Sequence, residues 1–178
     1  MASFDASSLK ALPVDNGRSK GASVVGGPAK WHPGTLEVAF PPKGFNEDQS
    51  RISFCLRATP EAQQTLKDLD AWAIKWARDN SQLIWGKALA EEIVADKLVA
   101  AFKAHEKYDP LLRAKINPKY VRWWDSMKQR RDVPEDWRGC VCQPEVLVKG
   151  LWFMGGQFGV TLEIQDAILE DASSSCPF

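Results

Sequence analysis

The chain has 178 residues, of which 44% are hydrophobic and 26% charged, enough for one domain of ordinary size with a real core and too few for two generous ones. Its formal net charge is +0 and its pI is near 6.7, so no global field points to nucleic acid, a membrane surface or acidic ligands. No apolar run approaches the ~18 residues of a membrane span, and no charged segment leads into an apolar one, which predicts a soluble, intracellular protein with reduced thiols.

Residues 1–30 are rich in Ser, Ala, Gly and Pro, with few large apolar side chains to offset the entropy of ordering them, and are expected to form a flexible N-terminal arm. Thr35 to Phe40 alternates in polarity, as do Ile52, Phe54 and Leu56, which predicts two strands joined by a Pro-Gly-Asn connector. Pro41-Pro42 should stop the first of them.

The period then changes. Thr59-Pro60-Glu61 reads as a helix cap, a first-turn proline and an acid at the positive helix end. Ala62, Leu66, Leu69, Trp72 or Ala73, and Trp76 follow at three- and four-residue steps, predicting a helix to about Arg78. A second helix is expected over about 84–104, where Ala90, Ile93, Val94, Leu98, Ala101 and Phe102 mark one face. Trp72, Trp76 and Trp85 are read as core, although exposed they would form a stacking platform.

Charge is unevenly spread beyond this point. Lys97 to Arg138 carries eleven Lys and Arg against six Asp and Glu, whereas no basic residue follows Lys149. The 105–137 segment admits either strand or helix. If it alternates, Tyr120, Arg122 and Trp124 share one face, at once cationic and aromatic, near Lys115, Lys119, Arg130 and Arg131. Single-stranded nucleic acid is held by such faces: cations track phosphates, and rings stack on bases at ~1–3 kcal/mol each. The plainer reading is a solvated, charged segment whose tryptophans pack inward.

The clearest pattern lies between Arg138 and Leu169. Val146 and Val148, Leu151 and Phe153, then Phe158, Val160, Leu162 and Ile164 recur at every second position on either side of Gly155-Gly156. This predicts a hairpin of roughly 144–153 and 157–169 with a glycine turn. Lys149 and Trp152 on it join the candidate binding set. Strands, a helical insertion over about 59–104, and further strands suit an α+β fold. We expect a small antiparallel, OB-like β-barrel with a helical pair inserted, as a single domain over 31–169 followed by a tail over 170–178.

The hairpin's second strand, in which Gly159, Thr161, Leu162, Ile164 and Ile168 stand at matching places, resembles the closing strand of the single-stranded-DNA-binding proteins of bacteriophages and large eukaryotic DNA viruses. The resemblance covers about the last 70 residues. It implies an OB-fold that binds single-stranded DNA in replication or recombination, inside a cell, which would be a virus-infected one. The chain ends on Glu170, Asp171, a serine run, Cys176, Pro177 and Phe178, which is similar to the acidic tips of bacterial and phage single-strand binders. In those families the tip docks replication proteins, which implies that use for Glu170, Asp171, Pro177 and Phe178. Here only two acids stand together and serines part them from the Phe, which weakens competition with DNA more than docking. RNA as ligand and self-association stay open.

Other classes find less support. Cys55, Cys140, Cys142 and Cys176 lack metal-site spacing and His32 and His105 are isolated, so no metal or cofactor is expected. The acidic pairs Glu91-Glu92, Asp68 with Asp70, and Glu135-Asp136 are read as solvated charge, and no nucleophile elbow or phosphate loop occurs, so no catalysis is expected. The alternative is a structural or interaction subunit of a larger assembly, with its aromatics as interface anchors.

Overall fold

The computed structural model describes residues 4–45 and 48–172. Among the described residues the fold is built on a nine-stranded sheet with three α-helices. In chain order these are β1 (Ala11–Asp15), β2 (Lys20–Val24), β3 (Ala29–Trp31), β4 (Leu36–Phe45), β5 (Asp48–Arg57), α1 (Pro60–Asp79), α2 (Ser81–Trp85), α3 (Glu91–Asp96), β6 (Leu111–Ile116), β7 (Arg122–Trp124), β8 (Val141–Met154) and β9 (Gln157–Glu170). Among the described residues no helix is long and apolar enough to cross a membrane.

The hairpin expected from its two-residue period is the centre of the sheet. β8 and β9 pair antiparallel from Val141↔Glu170 to Met154↔Gln157. Gly155 and Gly156 close the turn at φ +61 and +79, a backbone that side chains disfavour. β8 also pairs with β4, β4 with β5, β5 with β6, and β6 with β9, so the circuit of ladders returns to β8. The β6–β9 and β7–β9 pairings are parallel, so the expected all-antiparallel arrangement is corrected to a mixed one. Inside the circuit Phe54, Leu56, Leu112, Val146, Val148, Ile164 and Leu169 are fully buried. Phe54 meets Trp123 and Trp137 edge-on, each at 5.6 Å between ring centres.

The N-terminal stretch is not an arm where the structure describes it. β2 pairs with β8 over Lys20↔Phe153 to Ser23↔Gly150, β1 pairs with β2, and β3 pairs with β8. Small residues serve close approach here rather than disorder. A Cβ on Gly150 would stand 1.8 Å from the Ala22 carbonyl oxygen, and one on Gly21 would stand 2.9 Å from that of Leu151. Nor does Pro41-Pro42 end β4, because the register shifts between Phe40 and Lys43, and bulged positions tolerate a residue without an N–H.

Helix α1 starts as expected: the Thr59 hydroxyl accepts from the Ala62 N–H at 3.3 Å, a cap worth ~1 kcal/mol. Ala62, Leu66 and Leu69 join the core inside the circuit. Trp72, Ala73 and Ala77 pack with Leu151, Phe153 and Phe158 in a second cluster, with Trp76 and Trp85 against it. Trp72 is core, Trp76 and Trp85 are half-buried against it, and Trp72 and Trp76 donate their indole N–H groups to the Leu9 and Ala11 carbonyls.

The second helix of 84–104 is shortened to α3. Gly86 in the left-handed region ends α2, and beyond Lys97 the backbone bonds leave the helical pattern. Val99 donates to the Phe158 carbonyl, and Ala101 and Phe102 donate to the Asp70 carboxylate at 2.8 and 2.9 Å. Asp70 is therefore no solvated charge. It is buried, and burial pushes its pKa up against the lowering pull of those two N–H groups.

Candidate nucleic-acid interface

The hairpin has two faces, and the helices cover only one. Leu151, Phe153 and Phe158 point to α1, and Val146, Val148, Leu162 and Ile164 point into the circuit. Cross-strand partners on the other face form successive rows. Gly21, Trp152 and Gly159 make the first. Lys30, Leu147, Glu163 and Lys115 make the second. Glu145, Asp166 and Arg122 make the third, and Gln143, Ile168 and Trp124 the fourth. Along β9, Gly159 and Ile168 lie about 30 Å apart at the rise of an extended strand. The face is thus long, with a tryptophan near each end.

At one end, the Trp152 ring lies on Gly159: a Cβ there would stand 2.9 Å from three indole atoms. The ring is half-buried by this contact. At the other end, the 105–137 segment holds the strands β6 and β7 joined by turns, and no helix. Val121 and Trp123 turn inward while Tyr120 and Arg122 are exposed and Trp124 half-exposed, so the expected alternation is present. Asn117 sets the turn before it, accepting from the Tyr120 and Val121 N–H groups through its carbonyl oxygen and from Lys119 through its side chain. After β7 the chain reverses at Asp125, whose carboxylate accepts from the Met127 and Gln129 N–H groups. That turn brings the Arg130 guanidinium over the Trp124 ring, 5.4 Å from its centre.

Three carboxylates run down the middle of the face. Asp166 accepts from Arg122 and from the Trp124 indole N–H at 2.9 Å. Burial pushes its pKa up, but these donors outweigh burial and hold it below the usual value, while Arg122 is raised. Glu163 is lowered likewise, burial being outweighed by hydrogen bonds from Gln165 and Lys149 and by the charges of Lys149 and Lys115. The Lys149 ammonium stands 2.9 Å from it. Glu145 meets Lys30 at 3.1 Å and His32 at 3.6 Å.

Of the candidate residues, Lys115, Arg122, Trp124, Arg130, Lys149 and Trp152 share this face. Lys119 and Tyr120 stand at its rim, in the turn before β7. Arg131 stands apart: its guanidinium clamps the end of β9, donating to the Leu169 carbonyl at 2.9 Å and to Asp171 at 2.8 Å. Glu170 is the last residue of β9, and Pro177 and Phe178 lie outside the described residues. Lys30 and His32, on the flank of the face, were not among the candidates. Lys30 comes from the presumed arm and His32 from just beyond it, and their spacing carries no signal until β3 brings them beside Glu145. Cys142, inside the core, is inert, its thiol pushed up to about 12 by burial.

No family model and no curated protein sequence matches the chain. Solved structures do. The chain is similar to the single-stranded DNA-binding protein from bacteriophage Enc34 in complex with ssDNA, with a TM-score of 0.53 and 12% identity, over 91% of this chain and 96% of that one. A second structure of that phage protein matches with a TM-score of 0.51 and 11% identity, over 95% and 96% of the two chains. Its C-terminal truncation gives 0.52 and 12%, over 91% and 95%. The resemblance expected for the C-terminal segment is therefore one of fold, and it spans nearly the whole chain.

Proposed function

We propose that the chain binds single-stranded DNA without chemistry, on the face of β8, β9, β6 and β7 that the helices leave uncovered. The circuit β8–β4–β5–β6–β9 is then an OB-type barrel, elaborated by α1 and by the strands β1–β3. The observation that carries the reading is the placement of Trp152 and Trp124 towards opposite ends of one face, at most about 30 Å apart along β9, with Lys115, Lys149, Arg122 and Arg130 between or beside them. A span of that length accommodates several nucleotides, within the range usual for one such fold. Support comes from a fold shared with a phage protein whose structure holds ssDNA. Trp124 and Trp152, with Tyr120 at the rim, stack on bases, while Lys115, Lys119, Arg122, Arg130 and Lys149 meet phosphates.

A role in replication or recombination inside the cell fits a binder that does no chemistry. Glu170, Asp171, Pro177 and Phe178 are the proposed dock for replication proteins. Electrophoretic shifts with single-stranded and duplex DNA at two salt concentrations test the core of the reading. Single-strand binding should fall by ~0.7 log units per log unit of salt for each phosphate neutralised, with tryptophan fluorescence quenched. Affinity that ignores salt, or a preference for duplex, defeats it.

A second reading is favoured by one observation: the formal net charge is +0, and Arg122 and Lys149 are already paired with carboxylates. On that reading the face docks a protein, as in a subunit of an assembly. Gel filtration with and without oligonucleotide separates the two, since a large complex that oligonucleotide leaves unchanged supports the second.

A further inference from the structure

We infer that Glu145, Glu163 and Asp166 compete with the DNA backbone for the cations of the interface, and so set its affinity; the inference rests on the DNA-binding reading above. The three carboxylates belong to β8 and β9 in the middle of the face, and their partners come from the flanks. Lys30 and His32 approach from the β3 side, Lys115 from β6 and Arg122 from β7, while Lys149 reaches Glu163 from the bulged stretch of β8 itself. A carboxylate oxygen offers a guanidinium or ammonium the same charge-assisted hydrogen bond that a phosphate oxygen does. In the free protein the phosphate positions are therefore already filled from within.

This arrangement has two effects. It more than halves the net positive charge of a face that carries Lys30, Lys115, Arg122, Arg130 and Lys149, which weakens the sequence-blind attraction between duplex DNA and basic surfaces. It also couples charge to stacking at Trp124. Asp166 fixes the indole edge while Arg130 covers the ring face, the surface a base would take. A strand whose phosphates draw Arg122 and Arg130 outward uncovers that ring. Binding is an exchange of internal partners for external ones rather than a capture by free cations.

The test measures oligo-dT affinity by fluorescence anisotropy at low and high salt for the wild type, Glu163→Gln and Asp166→Asn. Each substitution keeps a hydrogen-bond acceptor and removes one negative charge. Glu91→Gln removes a charge that pairs with Arg78 on the helical side, 2.6 Å away, and controls for net charge. Removing a carboxylate about 7 Å from a phosphate, in a high dielectric, should tighten binding about threefold. Glu163→Gln and Asp166→Asn should show that gain even where the lost ion pair lowers their melting temperature slightly, and Glu91→Gln should not. Unchanged or weaker binding by both face variants, or an equal gain in Glu91→Gln, overturns the inference while leaving wild-type DNA binding intact. Failure of the wild type to bind oligo-dT at low salt overturns the functional reading, and this one with it.

Discussion

Trp152 offers the sharpest test of where the interface ends. Its ring rests on Gly159, and Gly21 is its partner on the other flanking strand, so neither cross-strand neighbour in its row carries a side chain. A methyl at 159 would lie 2.9 Å from the indole Cε2, Cζ2 and Nε1 atoms, whereas carbon atoms rest at ~3.5–4.0 Å. Gly159→Ala therefore lifts the ring by about 0.6–1.1 Å without straining the backbone, since Gly159 is not among the positive-φ glycines. Trp152→Ala removes the ring altogether. If a base stacks there, the full loss is ~1–3 kcal/mol, or about five- to 150-fold in affinity for oligo-dT. Gly159→Ala should fall between that variant and the wild type. Affinity titrations, with thermal melts alongside, measure both. Should Trp152→Ala melt earlier yet bind oligo-dT as the wild type does, the ring merely covers a glycine and the interface stops short of the hairpin tip.

Three further outcomes follow from the packing. Gly150→Ala, at φ +146 with the new Cβ 1.8 Å from the Ala22 carbonyl oxygen, should cost more than ~3 kcal/mol in urea unfolding and speed hydrogen exchange in β1 and β2 first. Asp70→Ala strips two half-buried backbone N–H groups of their acceptor; about 1–3 kcal/mol should be lost, with exchange rising at Ala101 and Phe102. The folded pKa of Asp166 is depressed, so its contribution to stability is present above the ordinary carboxyl value of ~3.9 and is lost as pH falls through the lower folded value. Between about pH 5 and pH 2, Asp166→Asn should consequently lose less stability than the wild type, as read by circular dichroism.

What could be read in advance follows from which residues speak a local language. The β8–β9 hairpin and α1 are legible because their periods, caps and turn glycines are set by near neighbours. The shared face of Tyr120, Arg122 and Trp124 is legible only on the strand alternative, because the local pattern there admits helix as well. β1 to β3 were not, because Gly21, Ala22 and Gly150 are small to fit one backbone against another, and composition alone cannot tell that from disorder. The helical pattern beyond Lys97 fails because distant partners, Phe158 and Asp70, take its N–H groups. Least legible were the carboxylates opposite the cations. Glu145, Glu163 and Asp166 become neighbours of Lys30, Lys115 and Arg122 only through long-range register.

The closing ladder of the strand circuit joins Leu36 and Glu37 of β4 to Cys142 and Val141 of β8, roughly a hundred residues later. A ribosome releasing ~5–20 residues per second therefore exposes β4, β5 and α1 for several seconds before their covering strands exist. The nascent chain must carry those apolar surfaces unshielded until its last quarter emerges. Assembly should accordingly be slow for the protein's size, and chains stalled before Val141 should be chaperone clients rather than partial binders.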